Sequence, residues 1–419
     1  MSYSSPPPGI SDIFPEEAPL WNLIENAARK VFALYGCGEM RAPLLEYTEV
    51  FKKGIGGDTE VVQKEMYTFE DKGGRSLTLR PEGTAGVMRA LSGTDAMNGV
   101  ERRVFYMGPM FRGERPAAGR RRQFHQIGVE NVGRVAPELD AECVAMLAHF
   151  LEECGVTGTK ILINTRGAVE DRAPAAAALK TYFEPQIAGM CADCKTRLEK
   201  NIWRILDCKQ PQCAGVVAGV PDITSFFSGA TKEYFKAVTD ALKNFRIEFD
   251  VSPRLVRGLD YYVHTVFEAV HPALDNLAVA GGGRYELFIP ETSKPVKGVG
   301  FAAGVERLIM SREALGVKNP EPPGTAVFLV SLGAAAKSLN MAAAAALRKA
   351  GVPVIVEVED KSMKAQMRAA DRIKAKIAVI RGDTEIAEGA VVCKDLASGE
   401  QKKIPAAELA AFIGAALSR

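Results

Sequence analysis

The chain has 419 residues, too many for one ordinary core, so two or three domains are expected. Hydrophobic residues supply 47% and charged residues 25%, a globular composition, and a net charge of +2 excludes a polycation that coats nucleic acid without discrimination. No apolar run nears the roughly 18 residues of a membrane span, and eight cysteines without a secretory signal do not argue for a disulfide framework.

In chain order, residues 1–9 are polar and proline-rich and read as a disordered tail rather than a signal peptide. Apolar residues at helical spacing predict a helix over 20–34, stopped by Tyr35-Gly36-Cys37-Gly38. The stretch from there to Phe51 reads as a strand with Pro43 near its start. Strands are expected at 76–79, 104–107, 123–132 and 160–164, with glycine turns at 54–57 and 73–74. Residues 168–250 turn helical and hold a cysteine cluster, and strand-like sequence resumes over 254–270. That return marks 168–250 as an insertion in a domain spanning 10–320, which closes with 300–315. A proline-rich linker at 318–323 precedes a last zone, 325–419. Its strands at 326–330, 354–357 and 377–380 alternate with helices at 334–350 and 363–373, the pattern of a small parallel α/β domain.

The chemistry concentrates in three blocks. Phe111-Arg112-Gly113-Glu114-Arg115 and Arg120-Arg121-Arg122 flank a Pro/Ala/Gly loop between two strands, a hairpin presenting guanidinium groups suited to phosphate and purine. Gly300 to Leu308 joins a glycine-rich strand end, which permits close ligand approach, to a helix bearing Arg307. The third is the helix end and strand around Pro43. In this order the blocks resemble motifs 1, 2 and 3 of the class II aminoacyl-tRNA synthetases. Leu79-Arg80-Pro81-Glu82-Gly83-Thr84, Arg257-Gly258-Leu259-Asp260-Tyr261-Tyr262 and Ala280 to Tyr285 are similar to segments of the histidine-specific members.

That resemblance implies an α+β catalytic domain with an antiparallel sheet and a helical insertion, followed by an α/β anticodon-binding domain. It implies a cytoplasmic homodimer that activates L-histidine with ATP and Mg²⁺, releases pyrophosphate, and loads tRNA(His) at its 3′-terminal adenosine. Arg112 and Arg257 would stabilise charge at the α-phosphate, and Arg307 would meet the γ-phosphate, with Glu114 also at the nucleotide. Histidine would be held by Glu82, Gly83, Thr84, Gln126, Glu130, Arg257, Tyr261 and Tyr262, with Glu130 and Tyr262 on the ring nitrogens. Arg115, Arg120, Arg121 and Arg122 would face the acceptor stem, and Lys364 and Arg368 other tRNA phosphates.

Read without the resemblance, Glu130 is a strand carboxylate paired with an arginine, and Tyr261 and Tyr262 are one core and one surface residue. His125 neighbours Gln126 on a strand, so one of the two faces away from the site, and His125 is taken as structural. Cys191, Cys194, Cys208 and Cys213 have spacings that suit a structural zinc, but the resembled family does not depend on one, and reduced, uncoordinated thiols are the favoured expectation. Two competing identities are a non-catalytic regulatory subunit of ATP phosphoribosyltransferase and a class II synthetase for another amino acid. Retention of Arg112, Arg257 and Arg307 argues against the first, and the Arg257–Tyr262 run against the second.

Overall fold

The computed structural model describes residues 4–57, 59–322 and 324–417. Residues 1–3 of the expected tail, Pro323 of the linker and the final two residues of the last zone lie outside them. The chain divides into two compact units, Met1–Pro320 and Glu321–Arg419.

The first unit opens with α1 (Ala18–Leu34), β1 (Gly38–Glu39), β2 (Leu45–Tyr47), α2 (Thr48–Ile55), β3 (Tyr67–Glu70), β4 (Ser76–Leu79) and α3 (Thr84–Ser92). The hairpin β5 (Arg102–Phe111) and β6 (Gln123–Val132) follows, then α4 (Pro137–Glu153) and β7 (Lys160–Thr165). The insertion holds α5 (Arg172–Phe183), α6 (Ala192–Lys200), α7 (Pro211–Ala218) and α8 (Gly229–Asn244). The unit finishes with β8 (Asp250–Val251), β9 (Tyr262–His271), β10 (Leu277–Leu287), β11 (Val296–Gly304) and α9 (Val305–Ala314).

Eight strands form one sheet in the order β1-β5-β6-β11-β10-β9-β7-β8, and β2-β4-β3 form a small second one. The pairings from β5 through to β7 are antiparallel, and only the short edge strands β1 and β8 add on in parallel. Strand alternation gives the large sheet two unlike faces. Ile127, Val129, Phe267, Val299 and Phe301 point to one side and pack with Ile24, Val31 and Phe32 of α1 and Val144, Leu147 and Phe150 of α4. Each such buried side chain contributes roughly 1.5–3 kcal/mol, so this face anchors the sheet. The opposite face carries the polar residues of the site, walled by a second core that includes Phe51, Met88, Tyr106 and Tyr285.

Three local expectations are corrected. Phe51 is buried on α2 rather than in a strand, and Gly54 lies inside that helix, so the glycine turn begins only at Gly56, whose φ is 104°. Strand β9 starts at Tyr262, and the residues from 252 to 261 form loop and turn instead. The tail is tied at its end, because the carbonyl of Gly9 accepts hydrogen bonds from the amides of Arg122 and Gln123 at 2.8 and 3.2 Å.

The second unit contains β12 (Val327–Ser331), α10 (Ala334–Lys349), β13 (Val354–Val356), α11 (Met363–Arg372), β14 (Ile377–Arg381), α12 (Asp383–Ala387), β15 (Ala390–Asp395), β16 (Gln401–Pro405) and α13 (Leu409–Leu417). Its sheet order is β13-β12-β14-β15-β16, parallel for the first three strands and antiparallel for the hairpin β15–β16. Among the described residues no helix is long and apolar enough to cross a membrane.

Candidate active site

Two cavities meet on the polar face of the large sheet. The smaller, about 60 Å³, is lined by Glu82, Thr84, Tyr106, Gln126, Glu130, Tyr261, Tyr262 and Tyr285, among others. The larger, about 170 Å³, is lined by Arg112, Glu114, Arg120, Arg121, Phe124 and Arg307. Arg112, Gln126 and Arg257 line both, so the two spaces share a wall of guanidinium groups. A cavity of about 740 Å³ lies around Arg284 and Phe288. It is the more spacious, yet Arg112, Arg257 and Arg307 are not among its lining residues.

Strand register assembles the small cavity. On β6, Gln126, Gly128 and Glu130 alternate onto the polar face, while His125 turns away, its ring edge-on to Trp21 and 3.1 Å from Glu306. Glu130 stands opposite Gly300 on β11, and a Cβ added at Gly300 would lie 2.0 Å from the Glu130 carboxylate. Gly281 on β10 is opposite Glu268 on β9, and a Cβ there would lie 2.4 Å from Arg257. The glycines are therefore what allow a carboxylate and a guanidinium to lie flat against the sheet.

Glu82 sits in the turn entering α3, and its carboxylate accepts the amides of Thr84 and Ala85 at 2.7 and 2.8 Å, capping that helix. The turn is held by Arg80, which donates to the carbonyls of Ala42 and Pro109. The Thr84 hydroxyl donates to Glu130 at 2.7 Å, and the Tyr285 hydroxyl donates to the other Glu130 oxygen at 2.7 Å. Among the described residues Glu130 thus has no arginine partner, contrary to the plain strand reading. Burial pushes its carboxyl up to about 8, against the lowering effect of the Tyr285 and Thr84 hydrogen bonds. Burial also raises Glu82, opposed by the two amides it caps with. The Gln126 amide oxygen is buried without a partner among the described residues, a polar atom left for a ligand.

Tyr261 and Tyr262 are both buried, at 5% exposure each. Alternation fails for them because Tyr261 lies in the turn before β9 rather than on the strand. Burial raises both phenols, so each remains a neutral hydrogen-bonding group.

The arginines are fixed from several elements. Arg112, at the end of the β5 hairpin arm, donates to the Pro81 carbonyl at 2.9 Å and lies over the Phe124 ring at 5.2 Å. Arg257 pairs with Glu268 and lies 5.9 Å from the centre of the Tyr262 ring. Burial alone would depress its guanidinium, but the Glu268 carboxylate overrides this and holds it firmly charged. Arg307, at the start of α9, donates to the carbonyls of Gly119 and Ala278 at 3.0 and 2.6 Å. Burial lowers it, as does repulsion from Arg120 and Arg112. Arg112, Arg120, Arg121, Arg257 and Arg307 thus concentrate positive charge along the cleft.

Of the arginines expected at RNA, Arg120 and Arg121 line the larger cavity. Arg120 approaches Glu114 at 3.9 Å, and Arg121 bonds the Ser11 hydroxyl. Arg115 is exposed, and Arg122 is half-buried beneath Gly9. Glu268, Tyr106 and Tyr285 were missed by the sequence reading. Counting by twos from Tyr262 along β9, or from Gly281 along β10, reaches Glu268 and Tyr285.

Residues 9–187 and 217–308 match the family model described as histidyl-tRNA synthetase, and 326–415 match the anticodon binding domain. The chain is 43% identical over 406 residues to the histidine–tRNA ligase of Halothermothrix orenii, covering 96% of this chain and 97% of that one. It is 43% identical over 404 residues to the histidine–tRNA ligase of Anoxybacillus flavithermus, covering 95% and 96%. The crystal structure of apo S. aureus histidyl-tRNA synthetase superposes with a TM-score of 0.78 at 33% identity, covering 98% of this chain and 99% of that chain. An ATP phosphoribosyltransferase regulatory subunit/histidyl-tRNA synthetase from Bacillus halodurans shares the fold at 17% identity, with a TM-score of 0.66, over 91% of this chain and all of the other.

Proposed function

The chain belongs to the histidyl-tRNA synthetase family, and from that membership we propose how its own residues perform the two steps of a histidine–tRNA ligase. The carrying observation is that Arg112 and Arg257 line both cavities, so an amino acid in the smaller and a nucleotide in the larger would meet at their guanidinium groups.

Histidine enters the small cavity. Glu82, with Thr84 and Gln126, takes the ammonium, and the buried Gln126 oxygen gains the partner it lacks. Glu130 accepts from one ring nitrogen, and the neutral phenol of Tyr262 serves the other, with Tyr261 packed 4.6 Å away against it. A side chain without both nitrogens would leave buried groups unpaired, which supports discrimination of about 10⁴ without editing. Gly83 keeps the turn beside Glu82 free of a side chain.

ATP, carried in as its magnesium complex, lies in the arginine cleft. Phe124 and Arg307 offer flat faces for the purine, Arg307 also suits the γ-phosphate, and Glu114 suits the magnesium-bearing phosphates. The histidine carboxylate attacks the α-phosphorus in line, and pyrophosphate leaves. Arg112 and Arg257 stabilise charge on the equatorial oxygens, and Glu268 keeps Arg257 oriented. No side chain acts as a covalent nucleophile. In the second step the acyl group passes to the 3′-terminal adenosine of tRNA(His). Arg115, Arg120, Arg121 and Arg122 would approach the acceptor stem, and Lys364 and Arg368 on α11 other phosphates.

A homodimer accords with the small sheet beside Pro43, where Leu45, Tyr47, Tyr67 and Phe69 are exposed at 41%, 52%, 37% and 45%. The reaction belongs in the cytoplasm, where charged tRNA is drawn on. Charging of tRNA(His) with labelled histidine tests the whole reading, and folded protein that binds histidine but charges no tRNA would overturn it in favour of a regulatory role.

A further inference from the structure

We infer that Cys191, Cys194, Cys208 and Cys213 form a structural zinc site that staples the helical insertion. The four sulfur atoms lie within 4.8 Å of one another, and no cysteine of the chain is bridged. A tetrahedral zinc with Zn–S bonds of about 2.3 Å needs sulfurs about 3.8 Å apart. Cys191 and Cys208 are separated by 3.8 Å. Closing the remaining gaps to that figure takes side-chain rotation of less than an ångström or so at each ligand, within the reach of one χ1 adjustment.

The backbone is arranged to present thiolates. Cys191 is the residue before α6 and Cys194 lies in its first turn, while Cys213 is the third residue of α7. Three of the four sulfurs therefore start from helix N-termini, where the backbone favours negative charge. The Cys191 amide donates to the Cys213 sulfur at 3.3 Å. Cys194 and Cys213 are wholly buried, and Cys191 and Cys208 are half-buried at the rim. Cys37, Cys143, Cys154 and Cys393 behave otherwise, as buried apolar side chains outside any such group among the described residues.

Four soft thiolates in a tetrahedron select zinc or iron over hard cations, and zinc is assigned as the ion that needs no redox partner. On binding, the four thiols lose their protons to water and the ion offsets half of the resulting charge. The local core is small, with Phe183, Trp203, Ile205 and Leu206 as its larger members, so a metal staple adds what apolar burial does not supply. The segment from 188 to 216 is the stretch left between the two parts of the family-model match, so the staple belongs to an insertion with its own sequence character.

The stapled module also braces the active-site loop. Asn201 donates to Asp260 at 2.7 Å, Arg204 donates to the Gly258 carbonyl at 3.4 Å, and Arg166 lies over Trp203 at 4.8 Å. Gly258 and Asp260 lie within three residues of Arg257, so order in the module is order in that loop.

The test is metal analysis of the full-length protein, purified after growth with zinc chloride and freed of loose metal by gel filtration. About one zinc per chain is expected, falling below about a tenth of that in the Cys191→Ser/Cys208→Ser double variant. Should the double variant fail to fold, titration of the wild-type thiols with a mercurial beside a zinc indicator decides. Release of one zinc as roughly four thiols are blocked supports the site. Cobalt(II) in place of zinc should give the visible bands and thiolate charge-transfer of a tetrahedral sulfur site. Wild-type protein without metal whose four thiols react freely, stoichiometric iron instead of zinc, or zinc retained in full by the double variant would each overturn the assignment.

Discussion

The small cavity on the catalytic sheet and the basic face of α11 in the second unit are both read as recognition surfaces, yet they are built in opposite ways. In the cavity, Glu82, Thr84 and Glu130 are buried and hydrogen-bonded to their surroundings before any ligand arrives. On α11, Lys364 and Arg368 are exposed, and Lys361, just before the helix, is paired with Glu357 and Glu359. The polar group that is buried there, Gln366, is spent on the backbone of Ser331 and Lys361 and holds the fold. A small molecule with fixed nitrogens needs preorganised partners, whereas phosphates on a long polymer can be met by solvated cations that order on contact. Substitutions should therefore hurt in different ways in the two places.

The largest expected effect is at the wall shared by the two cavities. Arg257→Ala should fold normally but lose adenylate formation by at least about two orders of magnitude, as removal of a charge-stabilising group does. Pyrophosphate exchange at wild-type rate would remove Arg257 from the chemistry.

Glu130→Gln should raise the histidine KM by about tenfold or more while changing the ATP KM little, because it weakens one buried hydrogen bond to the ring. Equal losses for both substrates would place Glu130 outside the ring pocket. The same substitution should also affect stability in a pH-dependent way. The folded carboxyl is raised to about 8, so the stability that goes with its protonated form is complete below the unfolded value and is lost as pH rises through 8. The glutamine cannot ionise, so the ligand-free variant should gain on wild type as pH rises from 5 to 8, by on the order of 4 kcal/mol. Thermal melts at the two pH values check this, and a variant that loses ground to wild type between pH 5 and pH 8 would contradict it.

The smallest effect is expected on α11. Lys364→Ala with Arg368→Ala should leave histidine-dependent exchange unchanged and raise the tRNA KM by roughly three- to tenfold at low salt, the difference shrinking as salt rises because fewer phosphate contacts lower the salt slope. A loss in exchange would mean that the helix acts through the fold rather than on RNA.

Much of this was legible in the sequence, and the failures have physical causes. Strands Ser76–Leu79 and Gln123–Val132 followed from alternation because each has one face on a core. The helix over Thr48–Ile55 was hidden by its short length and by Gly54, where an added Cβ would lie only 3.2 and 3.3 Å from the Leu287 and Ala85 side chains. The antiparallel hairpin β15–β16 was also not foreseen. Glu82 and Glu130 came from the family resemblance, and spacing alone could not have distinguished Glu130 from an ordinary ion-paired strand residue. Tyr285 and Glu268 were within reach, since each shares a strand face with a residue already singled out. The four cysteines were also singled out by their spacing as a possible zinc set, but that their sulfurs converge depends on how α6, α7 and the intervening turn fold back on one another, which spacing alone does not decide.

The most direct test of the central claim is ATP–pyrophosphate exchange with each of the twenty amino acids in turn. The pocket built from Glu82, Glu130 and Tyr262 beside Arg257 predicts exchange with histidine alone. Exchange with a different amino acid, or none with any from folded protein, would contradict it.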